Sequence, residues 1–172
     1  MKIAKTRNVK TPERGTEKSA GIDFFVPNDF KSVIIRPGRD LLIPSGIKAA
    51  VPEGFMLMAA EKSGVVTSKN AAVTAGRTPK PTAYDSIIIL GAKIVDEDYQ
   101  GEIHIHLVNV GDDVVKIEPG TKIAQFILVP VSYDNVEVVP EEQLFSEITK
   151  RGDGGFGSTD KNEIEPLDSD VL

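Results

Sequence analysis

The chain has 172 residues, with 26 acidic against 20 basic side chains for a formal charge of −6. That length suits one ordinary domain, which buries about 70% of its unfolded surface and needs no disulfide or structural metal to fold. The lack of cysteine excludes disulfide scaffolds, thiolate zinc sites and thiol nucleophiles, and the acidic balance argues against nucleic-acid binding through bulk charge while leaving room for a local basic pocket.

Gly (15) and Pro (11) punctuate short segments rich in Val and Ile. This is the pattern of an all-β sandwich or barrel, not of βαβ units. Near the start, Ser19-Ala20-Gly21-Ile22-Asp23-Phe24 reads as a bend running into a strand. Further strands are predicted over 33–36, 40–44, 47–51, 55–60, 86–90, 103–110, 114–117 and 123–130. Turn signals fall between them at Pro37-Gly38, Pro52-Glu53-Gly54, Gly111-Asp112-Asp113 and Pro119-Gly120. The segment from Ile94 to Ile103 reads as a β-hairpin with an acidic tip, Asp96-Glu97-Asp98. A short amphipathic helix is predicted over 140–149, where Pro140 opens it and Leu144, Phe145 and Ile148 recur at helical spacing. The expected organisation is a β-barrel domain over 1–150, with an inserted loop at about 65–86, then a glycine-rich arm and acidic extension over 151–172. No apolar run approaches the ~18 residues of a membrane span, and no signal-peptide pattern opens the chain, so a cytoplasmic location is expected.

Several segments carry groups suited to chemistry. In Arg151-Gly-Asp-Gly-Gly-Phe-Gly-Ser-Thr159, glycine N–H groups can form an anion-binding concavity and Arg151 can fork two hydrogen bonds onto a phosphate. Phe156 offers a flat face to a base. Asp96 is usually the kind of residue that shapes a turn, but beside a pocket it is an ionised general base. Glu61-Lys62-Ser63-Gly64, directly after a predicted strand, can seat a phosphate. Pro119 to Phe126 is a turn followed by a strand, on which Gln125 is either an ordinary polar residue or a ligand contact. His104 and His106 share one strand face at a spacing that metal sites use; with no cysteine and no other histidine, a solvated face or a subunit contact is the better reading.

Taken in order, five of these segments resemble the motifs of the trimeric dUTPases, the deoxyuridine 5'-triphosphate nucleotidohydrolases. They are Ala20-Gly21-Ile22-Asp23-Phe24, Lys62-Ser63-Gly64, Val95 to Ile103, Gly120 to Gln125, and Arg151 to Thr159. The resemblance spans about residues 3–160. It implies a jelly-roll β-barrel in a homotrimer with active sites at subunit junctions. It also implies hydrolysis of dUTP to dUMP and pyrophosphate with Mg2+ on the triphosphate; the acidic charge and the lack of a spanning run lead us to expect no nucleic-acid or membrane partner. By the same carry-over, Asp96 orients the attacking water and Tyr99 packs under the deoxyribose. The hairpin backbone, Val95 included, reads uracil. Lys62, Ser63, Gly64 and Gln125 hold the phosphate chain, and Asp23 meets the metal through water. Phe156 covers the uracil from a neighbouring subunit, while Arg151, Gly157, Ser158 and Thr159 grip the terminal phosphates.

The chain departs from that pattern at Glu61-Lys62, where Pro-Arg is expected, at Lys93 in place of Gly, and at Leu90 in place of a polar Asn. Lys keeps the charge of Arg but loses its bidentate fork, and Glu61 adds a negative charge near phosphates. Irregularities of this kind suit a phage or divergent bacterial source; a phage source would put the enzyme in the host cytoplasm. Two other readings stand beside hydrolysis: a dCTP deaminase or bifunctional deaminase–hydrolase of the same fold, and a noncatalytic, nucleotide-responsive regulatory protein.

Overall fold

A computed structural model of the chain describes residues 1–62 and 88–154. The chain divides into two compact units, Met1–Tyr133 and Asp134–Leu172. The first holds the strands β1 (Lys2–Lys5), β2 (Glu13–Arg14), β3 (Ile22–Phe25), β4 (Val33–Ile35), β5 (Asp40–Pro44), β6 (Ile47–Ala50), β7 (Phe55–Ala60), β8 (Ile88–Leu90), β9 (Ile94–Val95), β10 (His104–Asn109), β11 (Val115–Ile117) and β12 (Lys122–Pro130). They form sheets in the orders β1-β6, β5-β10-β8, β11-β4 and β2-β3-β12-β7-β9, every pairing antiparallel.

The strands arise where apolar side chains alternate. Along β10, Ile105, Leu107 and Asn109 are buried while His104 is exposed and His106 and Val108 are partly so, the period-2 pattern of a half-buried strand. The inward residues join Phe24, Leu57, Ile43, Ile123 and Phe126 in one core. Asn109 is the buried polar exception, and its amide is fully employed. It donates to the carbonyls of Ile35 (3.0 Å) and Asp113 (2.7 Å) and accepts from Gly111 N–H (3.0 Å). Those bonds tie the end of β10 to β4 and to the turn that follows.

Two expectations are corrected. The acidic segment is not a hairpin with paired arms, because its two ends enter different sheets. β9 lies on β7, with Val95 opposite Leu57, whereas Ile103 exchanges backbone bonds with Ser45 and Ile47 and leads into β10. Each arm buries an apolar side chain, Val95 and Ile103, by pairing elsewhere, and that gain outweighs a local ladder. The amphipathic helix over 140–149 is also absent: the second unit has only a single 3-10 turn, Glu141–Gln143, among its described residues. Leu144, Phe145 and Ile148 stay 58%, 76% and 97% exposed. A ten-residue helix depends on burying its apolar face rather than on propensity, and here that face is not buried. The strands β1 and β2, which lack a clear apolar alternation, are additions to the sequence reading.

The rings of Phe24 and Phe126 meet in the core with their centroids 4.4 Å apart and their planes tilted by 45°. Phe126→Ala should lower the unfolding free energy by about 3–5 kcal/mol, read as a drop in the urea midpoint at unchanged slope.

Candidate active site

Two groups of polar side chains sit at opposite ends of β7. At its C-terminal end, Asp23 on β3 faces Gln125 on β12, which in turn faces Ala60. Strict alternation would put Lys122 and Gln125, three residues apart, on opposite faces of β12. The ladder slips between Lys122 and Ala124, and such a bulge re-aims one side chain. Lys122 thereby reaches Asp23 Oδ2 at 2.7 Å, while Lys62 engages Oδ1. Asp23 is only 4% exposed. Its burial opposes ionisation, but the hydrogen bonds and charge of Lys122 and Lys62 outweigh it and hold the carboxyl below its ordinary value. Gln125 donates to the carbonyl of Glu61 at 3.0 Å. A Cβ at Gly21 would fall 2.0 Å from Gln125 Oε1, so glycine there is what admits the amide.

At the N-terminal end of β7 lies the acidic loop. Glu97 Oε2 accepts Gly54 N–H and Tyr133 O–H, both at 2.8 Å, and the carboxylate raises the Tyr133 phenol above its usual range. Tyr99 N–H bonds Asp96 O at 3.3 Å, and Tyr99 O–H bonds Glu102 O at 2.9 Å. The loop is thus tied down through Glu97 and Tyr99, with Asp96 exposed between them and the end of β9. Asp96, Glu97, Asp98 and Tyr133 line a cleft of about 400 Å³, and a second of about 460 Å³ runs between residues 97–100 and the β1-β6 ribbon. Val95 points into the core, so only its backbone is available to a ligand.

The structure therefore brings together Asp23, Lys62 and Gln125 in one cluster, and Val95, Asp96 and Tyr99 in another. Asp96 continues β9 towards Gly54, away from Ala60. About four residues of strand rise and three inter-strand spacings separate it from Asp23, roughly 20 Å. In the second unit, Arg151 donates to the carbonyl of Gly154 at 2.8 Å, in a turn where Gly152 takes a positive φ of 51°. Ser63, Gly64, Phe156, Gly157, Ser158, Thr159 and the inserted loop lie outside the described residues. Lys122, Lys93, Glu97 and Tyr133 enter the site only through the fold. Their signal in the sequence was proximity: Lys122 lies in the segment of Gln125, and Glu97 is next to Asp96.

Each histidine has a partner. His106 Nε2 pairs with Asp40 at 3.0 Å while its Nδ1 accepts Ala92 N–H at 3.1 Å. His104 Nδ1 meets the carbonyl of Glu102 at 2.9 Å. Among the described residues no three His, Asp or Glu side chains gather as metal ligands. Both oxygens of Asp23 are engaged by ammonium groups. A hard cation could coordinate this carboxylate directly only by displacing a lysine.

A family model described as dUTPase matches residues 56–160. The deoxyuridine 5'-triphosphate nucleotidohydrolase of Hydrogenobaculum sp. is 37% identical over 148 residues, covering 86% of this chain and 88% of its own. The one from Fusobacterium nucleatum subsp. nucleatum is 32% identical over 161 residues, covering 94% and 97%. Among solved structures, the dUTPase of Staphylococcus bacteriophage 80alpha with dUPNHPP has a TM-score of 0.72 at 21% identity, covering 91% of this chain and 96% of that one. A mutant dUTPase from phage phi11 of S. aureus, described with a structural Mg(II) ion, has a TM-score of 0.64 at 19% identity, covering 81% and 96%. At those identities the structures speak for the fold, which is the jelly-roll type of the dUTPases.

The Asp23 carboxyl, held below its unfolded value of about 3.9, contributes stability that is complete above that pH and is lost as pH falls through the folded value. Asp23→Asn should destabilise the fold at neutral pH by about 1–3 kcal/mol, as expected for a buried acceptor removed from charged donors. In thermal melts the gap from wild type should close as the pH is lowered past the carboxylate range. A gap that stays constant would show that the two lysines do not set this ionisation.

Proposed function

The chain belongs to the dUTPase family, and from that premise we propose that it hydrolyses dUTP to dUMP and pyrophosphate. Asp96 is the residue that orients the attacking water. The observation that carries this reading is the setting of Asp96: it is exposed at the rim of a cleft, on a loop anchored by Glu97 and Tyr99. Breaking a phosphoanhydride demands in-line placement of water and stabilisation of charge rather than covalent chemistry from the protein. An ionised carboxylate on a fixed loop accepts a hydrogen bond from water and aims its lone pair at phosphorus.

The other half of the task falls to the far end of β7. Lys62 and Gln125, with Ser63 and Gly64, hold the phosphate chain. Asp23 would hold a Mg2+ ion carried on the triphosphate through water, its two oxygens being paired with Lys62 and Lys122, and the ion would screen the charge of the phosphates. Tyr99 packs beneath the deoxyribose, and backbone groups near Val95 read uracil, whose mismatch with cytosine would leave buried polar groups unpaired at a cost of about 1–3 kcal/mol. Arg151, Phe156, Gly157, Ser158 and Thr159 close over the nucleotide from a neighbouring copy.

Within one chain, Asp96 and the Asp23 cluster are too far apart to grip one nucleotide's α-phosphate together. This separation supports a homotrimer whose sites combine the acidic loop of one copy with the cation cluster of another. Asp96→Asn should lose pyrophosphate release from dUTP while still binding nucleotide in a calorimetric titration. Mixing Asp96→Asn with Gln125→Ala, then dissociating and reassembling the subunits, should restore part of the activity that each variant lacks. No recovery would place the whole site in one chain. Ammonia released from dCTP would favour the deaminase reading instead.

A further inference from the structure

Glu61 puts a carboxylate one residue before Lys62, at the end of β7 where the phosphate-holding side chains gather. Left alone, that charge would oppose a triphosphate. The fold answers it from the other side of β7. Lys93 Nζ lies 2.6 Å from Glu61 Oε1, and Leu90 N–H donates to the same oxygen at 3.3 Å. Lys93 is itself held by its backbone, since its carbonyl accepts Ala59 N–H at 2.6 Å. The residue therefore stands in a fixed place before its side chain reaches across. Glu61 is further tied through its own carbonyl to the Gln125 amide.

With side chains 30% and 42% exposed, a pair of this kind adds little to stability. Its larger consequence is the local field. The Lys93 ammonium also keeps the Glu61 carboxyl below its usual range, so Glu61 is a full negative charge that needs an answer wherever the enzyme works.

We propose that Lys93 is a positioning residue for substrate affinity: it cancels the charge of Glu61, so that the anionic chain of the nucleotide meets the Lys62 and Lys122 cluster, already paired with Asp23, without a second and uncompensated carboxylate at that end of β7. This rests on the reading that the Lys62 end of β7 holds phosphates. Lys93 acts on the ground state and the transition state alike, because both carry the same phosphates past Glu61. Its loss therefore falls on KM rather than on kcat.

The test measures pyrophosphate release from dUTP, together with a thermal melt, for wild type, Lys93→Arg, Lys93→Met and the double variant Lys93→Met/Glu61→Gln. Lys93→Met should raise KM about five- to tenfold, the effect of one uncovered charge near a polyanion, with kcat retained. Lys93→Arg should keep the wild-type KM, and the double variant should return close to it. An unchanged KM in Lys93→Met overturns the proposal. So does a double variant as impaired as the single one, which would make Lys93 a direct phosphate ligand. If Lys93→Met does not fold, the double variant decides: a wild-type KM supports the proposal and a raised one overturns it. Calorimetric titration of the same proteins with inorganic triphosphate reads the charge effect without turnover. A wild type that releases no pyrophosphate thus sinks the hydrolase reading, and Lys93 is then judged on the titration, where undiminished binding by Lys93→Met overturns the proposal.

Discussion

A strand paired on both edges cannot shorten or fold back without breaking its ladders, and β7 is held in this way between β12 and β9. Its six residues span about 17 Å at roughly 3.3 Å per step, and the three strand spacings from β3 to β9 add the sideways part of the separation. The acidic loop is pinned to one end by Glu97 on Gly54, and the lysine cluster is gathered at the other by Asp23, Gln125 and Glu61. Much of what the protein is proposed to do follows from that spacing. On the proposed reading, a chain that holds its water-orienting carboxylate and its phosphate grip so far apart would own two half-sites and need copies of itself to make a whole one.

The charges at the cationic end are balanced in pairs rather than scattered. Two carboxylates, Asp23 and Glu61, stand against three ammonium groups, Lys62, Lys93 and Lys122. The surplus is positive, in a chain whose overall charge is −6. Global charge thus says little about this ligand, because fields near a half-buried cluster are set by the nearest groups and by limited screening. The acidic end is handled differently: Glu97 is held by neutral donors, an amide and a phenol, which fix its position without cancelling its charge. Positions 61 and 93, where this sequence leaves the family pattern, are joined by an ion pair, whereas Leu90 gives the same oxygen only its main-chain N–H, which does not depend on its side chain.

The long strands were legible because burying one face of a sheet imposes a period of two on the residues themselves. β5 and β7 have the expected bounds, and β10 and β12 differ from them by one residue at their ends. Where sequence reasoning relied on local pairing or local propensity it was less secure. The arms of the acidic segment found better partners in two other sheets, and the stripe of Leu144, Phe145 and Ile148 had the spacing of a helix without the burial that sustains one. Lys122 was hidden for a related reason: the bulge that turns it towards Asp23 is a property of the β3-β12 ladder and leaves no mark on the strand's own pattern.

From the order of residues alone came the β class, the family resemblance and the types of group that carry chemistry, because these depend on composition, periodicity and short motifs. The tertiary structure decided which of those groups stand together. It paired Glu61 with Lys93 across 32 positions and Lys62 with Asp23 across 39, and it set Asp96 at the opposite end of β7 from both. Such distances are fixed by strand pairing and register between remote segments, and no window of sequence contains them.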